Sequence, residues 1–589
     1  LVGTTCTRFG RGRTAMGMEL HEPESACSSH AEGLDIFREC GTEIAVQLSE
    51  ASDSASSSEC SKASQQERQE EGVNSANLPT AMLIARYITN MKLASPEVLR
   101  ATSPGFALRG FGWALRRPQT KDLFSRSWPV QYIQTFWSHS WHGKTAMKML
   151  VLLLSYNGPA AVILGTLAAA VMFAFNSYGY LPAYSKAVVM LEGDELDEHQ
   201  PMEYLDMAPW ALGAGCIVSI LVLFLWPAPG SIFVDRICIH QEDPDLKGKG
   251  IISIGGFIRY SRDMMVLRDS TYVERLWCIF ELAAFLRSQD DDPSKRLCVR
   301  PTFLGPCVFA LYVSWAVGCL TSFLLLDTSL VILIMWMFAF LVVLAVFGHA
   351  LRSHQRSIHQ MLHQLKEFRI ENTKSQCCTM GHRNPHDQNP LTCDREILMQ
   401  CIAEWFGNVE KFEEEVRSRV RIALEKGLGN AGMPYLWGIA AVCPFMWTQL
   451  DAIAGRLRAG RGDWAAKIAI YTVVAWLGIV PLVLPLAFTL TKRFRRRRSW
   501  IICDLGVTVM VTAAVVLFIV LLYLIYAGVA MLVPIRFLGP SIYAVVLSVV
   551  GFLTWRHQSW RFARWANEQI HEGHSACAPA DDGDDAGKQ

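Results

Sequence analysis

Eight apolar runs, each uncharged at its centre, punctuate the chain at 158–176, 209–227, 302–326, 329–349, 433–452, 467–491, 501–527 and 533–554. A helix of about 20 such residues crosses the hydrocarbon core of a bilayer. The runs pair into four hairpins, with loops near 327, 454–464 and 528–532 and a longer one at 177–208. Basic residues set the expected orientation. "TKRFRRRRSW" (491–500), "RSHQRS" after the fourth run and "WRHQSWRFARW" after the eighth fall on one side. The acidic "LEGDELDEHQPMEYLD" falls on the other, and "RLRAGRGDW" (456–464) is the one basic stretch that breaks the rule. The expected protein is integral to a membrane and multi-pass, with both termini cytoplasmic.

The intervening stretches read differently. Residues 1–78 are rich in Ser, Glu and Gln, cannot bury enough apolar surface to offset ordering entropy, and are expected to be disordered. Residues 79–129 form a basic lead-in, expected to be weakly structured. In 130–157 a strand (131–137), a polar turn and a helix (144–155) follow one another. In 228–300, "SIFVDRICIHQED" opens as a strand rich in β-branched and aromatic residues. The helix "IISIGGFIRYS", the strand "DMMVLRD", the helix "TYVERLWCIFELAAFL" and the strand "RLCVRP" follow. Strand–helix alternation predicts a parallel sheet with helices on its faces. Each piece alone is too small for a core, so 130–157 and 228–300 are expected to join across the hairpin 158–227. A second hairpin spans 302–349. Residues 350–432 supply a cytoplasmic Cys/His loop and amphipathic helices, 433–554 supply four spans, and 555–589 form a cytoplasmic tail. Within that tail, the tryptophans and arginines of 555–565 suit either an interfacial helix or a plain juxtamembrane segment.

Composition agrees with a membrane protein. Of 589 residues 51% are hydrophobic and 19% charged, against roughly 25% charged in soluble domains. The net charge of +1 implies no nucleic-acid partner. The 17 cysteines form no regular framework and read as reduced thiols. The first residues hold no apolar core long enough for a signal peptide.

Three stretches then carry a family resemblance. "FWSHSW" before a helix resembles the first strand and turn of Toll/interleukin-1-receptor (TIR) domains. "IFVDRICIHQED" resembles their second strand and following loop, and "SRDMMVLRDSTYVERLWCIFELAAF" resembles their "WC..E" run. The middle block also resembles the related fungal heterokaryon-incompatibility domain, through "FVDRICIHQ" and "ERLWCIFE". The resemblance covers about 100 residues, with the motifs in family order. It departs from the family in the inserted hairpin and in lacking a last strand and helix. The expected fold is thus an α-helical multi-span membrane protein with an inserted α/β, flavodoxin-like and TIR-like cytoplasmic domain.

By motif position the resemblance makes Glu281 the catalytic residue of NAD+ cleavage. A carboxylate beside the ribose stabilises the oxocarbenium-like state formed as nicotinamide leaves. The apolar frame around Glu281 is expected to raise its pKa. The residues alone also allow a fold role, with Glu281 satisfied by backbone groups or by Arg262 or Arg275. Ser138, His139, Ser140 and Trp141 end the first strand, where doubly wound sheets bind ligands. They are candidates to contact ribose or nicotinamide, or else form a turn with a core tryptophan. Asp235, Cys238, His240 and Gln241 lie in the loop expected to gate the site or mediate self-association, or to be a solvated turn. Asp235 and Trp277 are further candidate dinucleotide contacts, and Ser261 and Tyr272 flank the next strand. NAD+ is the expected substrate, and no cofactor is required.

A second constellation, "CCTMGHRNPHDQNPLTC", offers Cys377, Cys378, His382, His386 and Cys393. Zinc favours such ligands, although the spacing fits no standard finger. Asp394 is the expected N-cap of the next helix, and Val409, Phe412, Val416, Val420 and Leu424 mark an amphipathic one. There is no phosphate loop and no kinase or metalloprotease motif. The leading expectation is a TIR-like signalling module that cleaves or senses NAD+. The alternatives are a non-enzymatic receptor or scaffold that self-associates through the domain, and a transporter or channel with a regulatory soluble part.

Overall fold

A computed structural model of the chain describes residues 80–116, 123–188, 203–288, 296–324, 330–379, 381–382, 393–428, 433–532 and 537–554. The disordered reading of 1–78 and the interfacial reading of 555–565 lie outside these residues.

A four-stranded sheet organises the α/β part of the chain. Its strands are β1 (Ile133–His139), β2 (Ile232–Phe233), β3 (Ser261–Arg268) and β4 (Leu297–Pro301), in the order β2-β1-β3-β4, all parallel. Phe136, Trp137 and Ser138 are buried in succession, as expected of a strand covered on both faces. The helices that matter are α1 (Thr80–Thr89), α2 (Thr145–Tyr156), α3 (Gly158–Ser177), α4 (Trp210–Leu225), α5 (Pro244–Ile252), α6 (Ile254–Arg259), α7 (Leu276–Ser288), α8 (Leu304–Leu324), α9 (Leu330–Lys366), α10 (Asp394–Phe406), α11 (Cys443–Arg458) and α12 (Ile501–Leu532). Helices α6 and α7 pack together beside β1, while α2 packs against α8.

The lead-in corrects its expectation. Helix α1 packs on α10 and buries Ile84 and Ile88. Arg100–Ala101 pairs antiparallel with Trp128–Pro129, and Thr102 bridges Ile232 at the edge of the sheet. Basic residues masked an apolar stripe on α1 that the core uses. Two further expectations shift. The second strand is only two residues long because the chain turns into the short helix Asp235–Cys238. The 177–208 loop holds an antiparallel pair, Tyr184–Val188 with Glu203–Met207.

Among the described residues, four helical stretches are long and apolar enough to cross a membrane: Gly158–Ser177, Leu304–Phe323, Gly462–Arg493 and Ile501–Val529. A fifth arises if Tyr435–Ala441 and Cys443–Arg458, bent by 49°, count as one span. Together these account for five of the eight runs. The run 209–227 yields α4, of 16 residues, and the described part of 533–554 is helical over Leu538–Thr554. The run 329–349 continues unbroken into the polar half of the 37-residue α9. Ile163, Leu167 and Val171 on α3, Ile217 and Leu221 on α4 and Leu517 on α12 all lie exposed. Such an outward apolar surface suits lipid and not water.

Several polar groups inside the bundle are paired, while Asn176 Nδ2, Thr512 Oγ1 and Ser548 Oγ are buried without a hydrogen-bond partner among the described residues. Asp451 accepts from the amides of Ala211 and Leu212 at 2.8 and 2.9 Å, capping α4 from a distant segment. Arg352 is fully buried and meets Asp504 at 2.9 Å and Thr508 Oγ1 at 2.7 Å. Arg458, within the stretch that breaks the charge rule, donates to Asn176 and to the Leu181 carbonyl, each at 3.2 Å. It closes the end of α3. Gly165 and Gly215 let α3 and α4 approach the buried Trp447 ring where any Cβ would collide with it or its neighbours.

The hairpin closes at Asn157. Its buried side chain sits between α2 and α3 and donates to the carbonyls of Leu223 at 2.9 Å and Trp226 at 3.3 Å, at the end of α4. Asn157→Leu leaves both carbonyls without this donor and is expected to cost about 1–3 kcal/mol, read as a lowered unfolding midpoint in detergent.

Candidate functional site

Parallel strands end on one edge, and the first and third strands put their carboxyl ends side by side. Ser138 pairs in register with Val266, and His139 with Leu267. After β3 the chain turns at Asp269, whose Oδ1 accepts from the Thr271 amide at 2.8 Å and from its hydroxyl at 2.7 Å. Thr271 Oγ1 in turn lies 2.9 Å from Ser140 Oγ, tying the two strand ends together. Gly143 is required here, because a Cβ would overlap Asp269 Oδ2. Lys148, buried in the apolar α2, donates to the Ser140 carbonyl.

Glu281 enters this edge from α7. Ser138 Oγ lies 2.7 Å from Glu281 Oε2 and 2.8 Å from the Tyr272 hydroxyl, and that hydroxyl lies 3.2 Å from the Cys278 carbonyl. No ion pair involves Glu281 among the described residues. Arg275, one of the two arginines expected as a partner, instead meets His142. The residue is half-buried. Burial is the main cause that raises its pKa to about 8; the Ser138 hydrogen bond opposes this and the charge of Asp235 adds to it. Burial likewise holds the Tyr272 hydroxyl and the Cys278 thiol well above their usual values.

The other candidates divide. Trp141 Nε1 donates to Asp235 Oδ2 at 3.0 Å, the Arg236 guanidinium lies 5.3 Å from the Trp141 ring centre, and the His139 ring meets Trp141 edge-on at 4.4 Å. Ser138, His139, Ser140, Trp141 and Asp235 therefore gather with Glu281 at one edge. Trp277 does not join them. Its ring packs on Phe280 at 6.2 Å and its indole reaches the Asp394 carboxylate of α10. Cys238 is buried beneath the edge, and His240 Nδ1 accepts from the Glu242 and Asp243 amides at 3.2 and 2.9 Å, shaping the loop. Ser261 donates to the Phe257 carbonyl at the opposite end of β3. Asp394 is the first residue of α10, and Cys393 takes the cap position. Phe412, Val416, Val420 and Leu424 are buried as expected, although a π turn at Val416–Val420 interrupts their helix. Cys377, Cys378, His382 and Cys393 cluster together, while His386 lies outside the described residues.

Lys148, Asp269 and Thr271 were not among the expected site residues. Lys148 carried a signal, as the only charge in "TAMKMLVLLL". The cavity lined by Leu154, Ala161, Leu223, Val308 and Trp447 lies within the helical bundle, and its lining includes the polar side chains of Ser219, Tyr312 and Cys443.

The raised pKa has a consequence for stability. An acid at about 8 in the fold and near 4.5 when unfolded stabilises the fold below the lower value. That contribution is lost as pH rises through the folded pKa. Unfolding midpoints of the wild type are expected to fall more steeply between about pH 5 and pH 9 than those of Glu281→Gln. Equal slopes would show that Glu281 titrates normally.

Comparison of the whole chain with protein-family models, with curated proteins and with solved structures finds no match in any of the three.

Proposed function

We propose that the chain is a membrane-embedded signalling protein whose soluble α/β unit is TIR-like and cleaves the nicotinamide–ribose bond of NAD+. The observation that carries this reading is Glu281 at the carboxyl edge between β1 and β3, held by Ser138 and without an ion-pair partner among the described residues. The strand order β2-β1-β3-β4 supports it, being the first four strands of the flavodoxin-like order. In such sheets the crevice between the first and third strands is the switch point where ligands bind.

The chemistry follows from charge. The bond between ribose C1′ and the pyridinium nitrogen breaks, and its electron pair stays on nitrogen, so nicotinamide leaves neutral. Positive charge develops on the ribose, and an ionised Glu281 beside it lowers the barrier. Water then adds to C1′ and releases a proton, giving ADP-ribose. An acid with a pKa of about 8 is mostly protonated at neutral pH, so Glu281 must first ionise. The cationic nicotinamide ring favours that ionisation, which couples substrate binding to proton release.

One observation favours the second reading, a self-associating module without activity. The Glu281 carboxyl already has an internal partner in Ser138, so a fold role needs no ligand. Both readings place the protein in a lipid bilayer with the α/β unit cytoplasmic.

The test is NAD+ consumption by the purified full chain in liposomes, at a density that permits clustering. Wild type is expected to release nicotinamide, and Glu281→Gln to do so about 100-fold or more slowly. Wild type without turnover, clustered or not, would overturn the enzyme reading.

The pH profile supplies a sharper test. kcat/KM is expected to rise with pH through an apparent pKa near 8. Ser138→Ala removes a hydrogen bond that favours the carboxylate, so its profile should move to higher pH. Asp235→Asn removes a neighbouring negative charge, so its profile should move to lower pH. Shifts in the same direction would argue that the two residues act only through the fold.

A further inference from the structure

The cysteine and histidine cluster beside α10 has the dimensions of a metal site. Cys377, Cys378 and Cys393 place their sulfurs at mutual distances of 3.8, 3.7 and 3.8 Å. A tetrahedral zinc ion with Zn–S bonds of about 2.3 Å requires sulfurs about 3.8 Å apart. Two thiols in van der Waals contact stand at a similar distance, so one pair would mean little. Here three sulfurs satisfy it together, and a ring nitrogen of His382 lies within 4.8 Å of all of them. The His382 side chain is exposed and can turn to the roughly 3.6 Å that a tetrahedral Zn–N bond of about 2.05 Å requires. None of the three contacts is near the disulfide length of about 2.05 Å.

The backbone is shaped to the same end. Between Cys378 and His382 the chain doubles back through Gly381 at φ +66° and His382 itself at φ +57°. A histidine in the left-handed region is uncommon and costs of order 1 kcal/mol or more, which the surroundings must hold. The His382 amide donates to the Cys377 carbonyl at 3.0 Å, and the Gly381 amide to the Cys378 carbonyl at 3.3 Å. Cys393 occupies the N-cap position of α10.

We infer that Cys377, Cys378, Cys393 and His382 bind one zinc ion as a closed, structural Cys3His centre. Three thiolates and an imidazole select zinc over oxygen-seeking cations. The three thiols release their protons as the metal binds. The centre ties the segment 370–378 to the start of α10. That segment is a strap on the α/β unit: Lys374 bridges Arg275, its amide donates to the Glu274 carbonyl at 2.7 Å, and its Nζ meets Glu274 Oε2 at 2.9 Å. Arg395, two residues after Cys393, donates to the Ile370 and Thr373 carbonyls at 2.7 and 3.0 Å. The metal thus fastens the turn that carries Tyr272 and leads into α7, whether or not the protein cleaves NAD+.

The test is elemental analysis of the full chain, purified in detergent under reducing conditions without chelator. One zinc per chain is expected in the wild type, with less than about a tenth of that in Cys378→Ser and in Cys393→Ser. Cys503→Ser, an exposed cysteine elsewhere, should retain the metal. His382→Cys should retain it as a four-sulfur site, and His382→Ala should bind it more weakly. Because a variant can fail to fold, the wild type is also exchanged with cobalt(II), expected to show the visible bands of a tetrahedral site and a thiolate charge-transfer band. A wild type with neither zinc nor a cobalt spectrum overturns the inference. So does a mass showing two of the three cysteines joined as a disulfide.

Discussion

The parallel sheet depends on a closure far from its carboxyl edge. Strand β1 is followed by α2, then by an apolar hairpin, and only then by its neighbours β2 and β3. Parallel pairing is possible only if that hairpin returns the chain to the place it left. Asn157 performs the closure, joining the departure point between α2 and α3 to the last carbonyls of α4. The packing of Trp447 against the glycines of α3 and α4, and the Asp451 cap on α4, fix the hairpin from the far side. Loop closure over so many residues carries an entropy cost that grows slowly with length. A rigid helical hairpin lowers it further, since it behaves as a hinged rod and not as a coil. The bundle is therefore part of the fold of the α/β unit, beyond any role as an anchor.

The same logic explains how the edge is built. Its polar groups pair across strands that are remote in sequence: Ser138 with Glu281, Ser140 with Thr271, Trp141 with Asp235. Each pair locks one strand end to a loop or helix that follows another strand. Electrostatics at the edge are therefore set by topology. The charge of Asp235 reaches Glu281 because β2 and α7 both border β1, and burial then amplifies every such interaction.

Much of this was legible in the sequence, and the limits have physical reasons. The strand–helix alternation and the union of 130–157 with 228–300 could be read because apolar β-branched runs alternate with helical ones. The gathering of Ser138 through Trp141 with Glu281 could be read because carboxyl ends of parallel strands meet. The lead-in could not be read, since α1 shows its apolar stripe only against α10. Hydropathy sees composition and not helix length: the run 209–227 yields only the 16-residue α4, which stops at Leu225 before a turn through prolines. Trp277 was misplaced because motif spacing puts it one turn from Glu281, whereas side-chain direction sends it to Asp394. The Cys377–Cys378 spacing fits no standard finger, yet a single short helical turn brings both sulfurs toward Cys393.

What remains is why the edge keeps a glutamate. Within the fold a glutamine would accept the Ser138 hydrogen bond equally well, and its amide could donate in turn. It would carry no charge to desolvate, and it would feel no repulsion from Asp235. A carboxyl there makes the fold less stable as pH rises toward 8, and no cation among the described residues offsets it. Strong perturbation of this kind gathers at sites where a group must change its charge. A cationic ligand is the natural complement, because it restores the ionised state that burial suppresses. Glu281 is thus a poor choice for holding the sheet together and a good one for meeting a positive charge that arrives and then disappears. That is the charge history of nicotinamide in NAD+ cleavage.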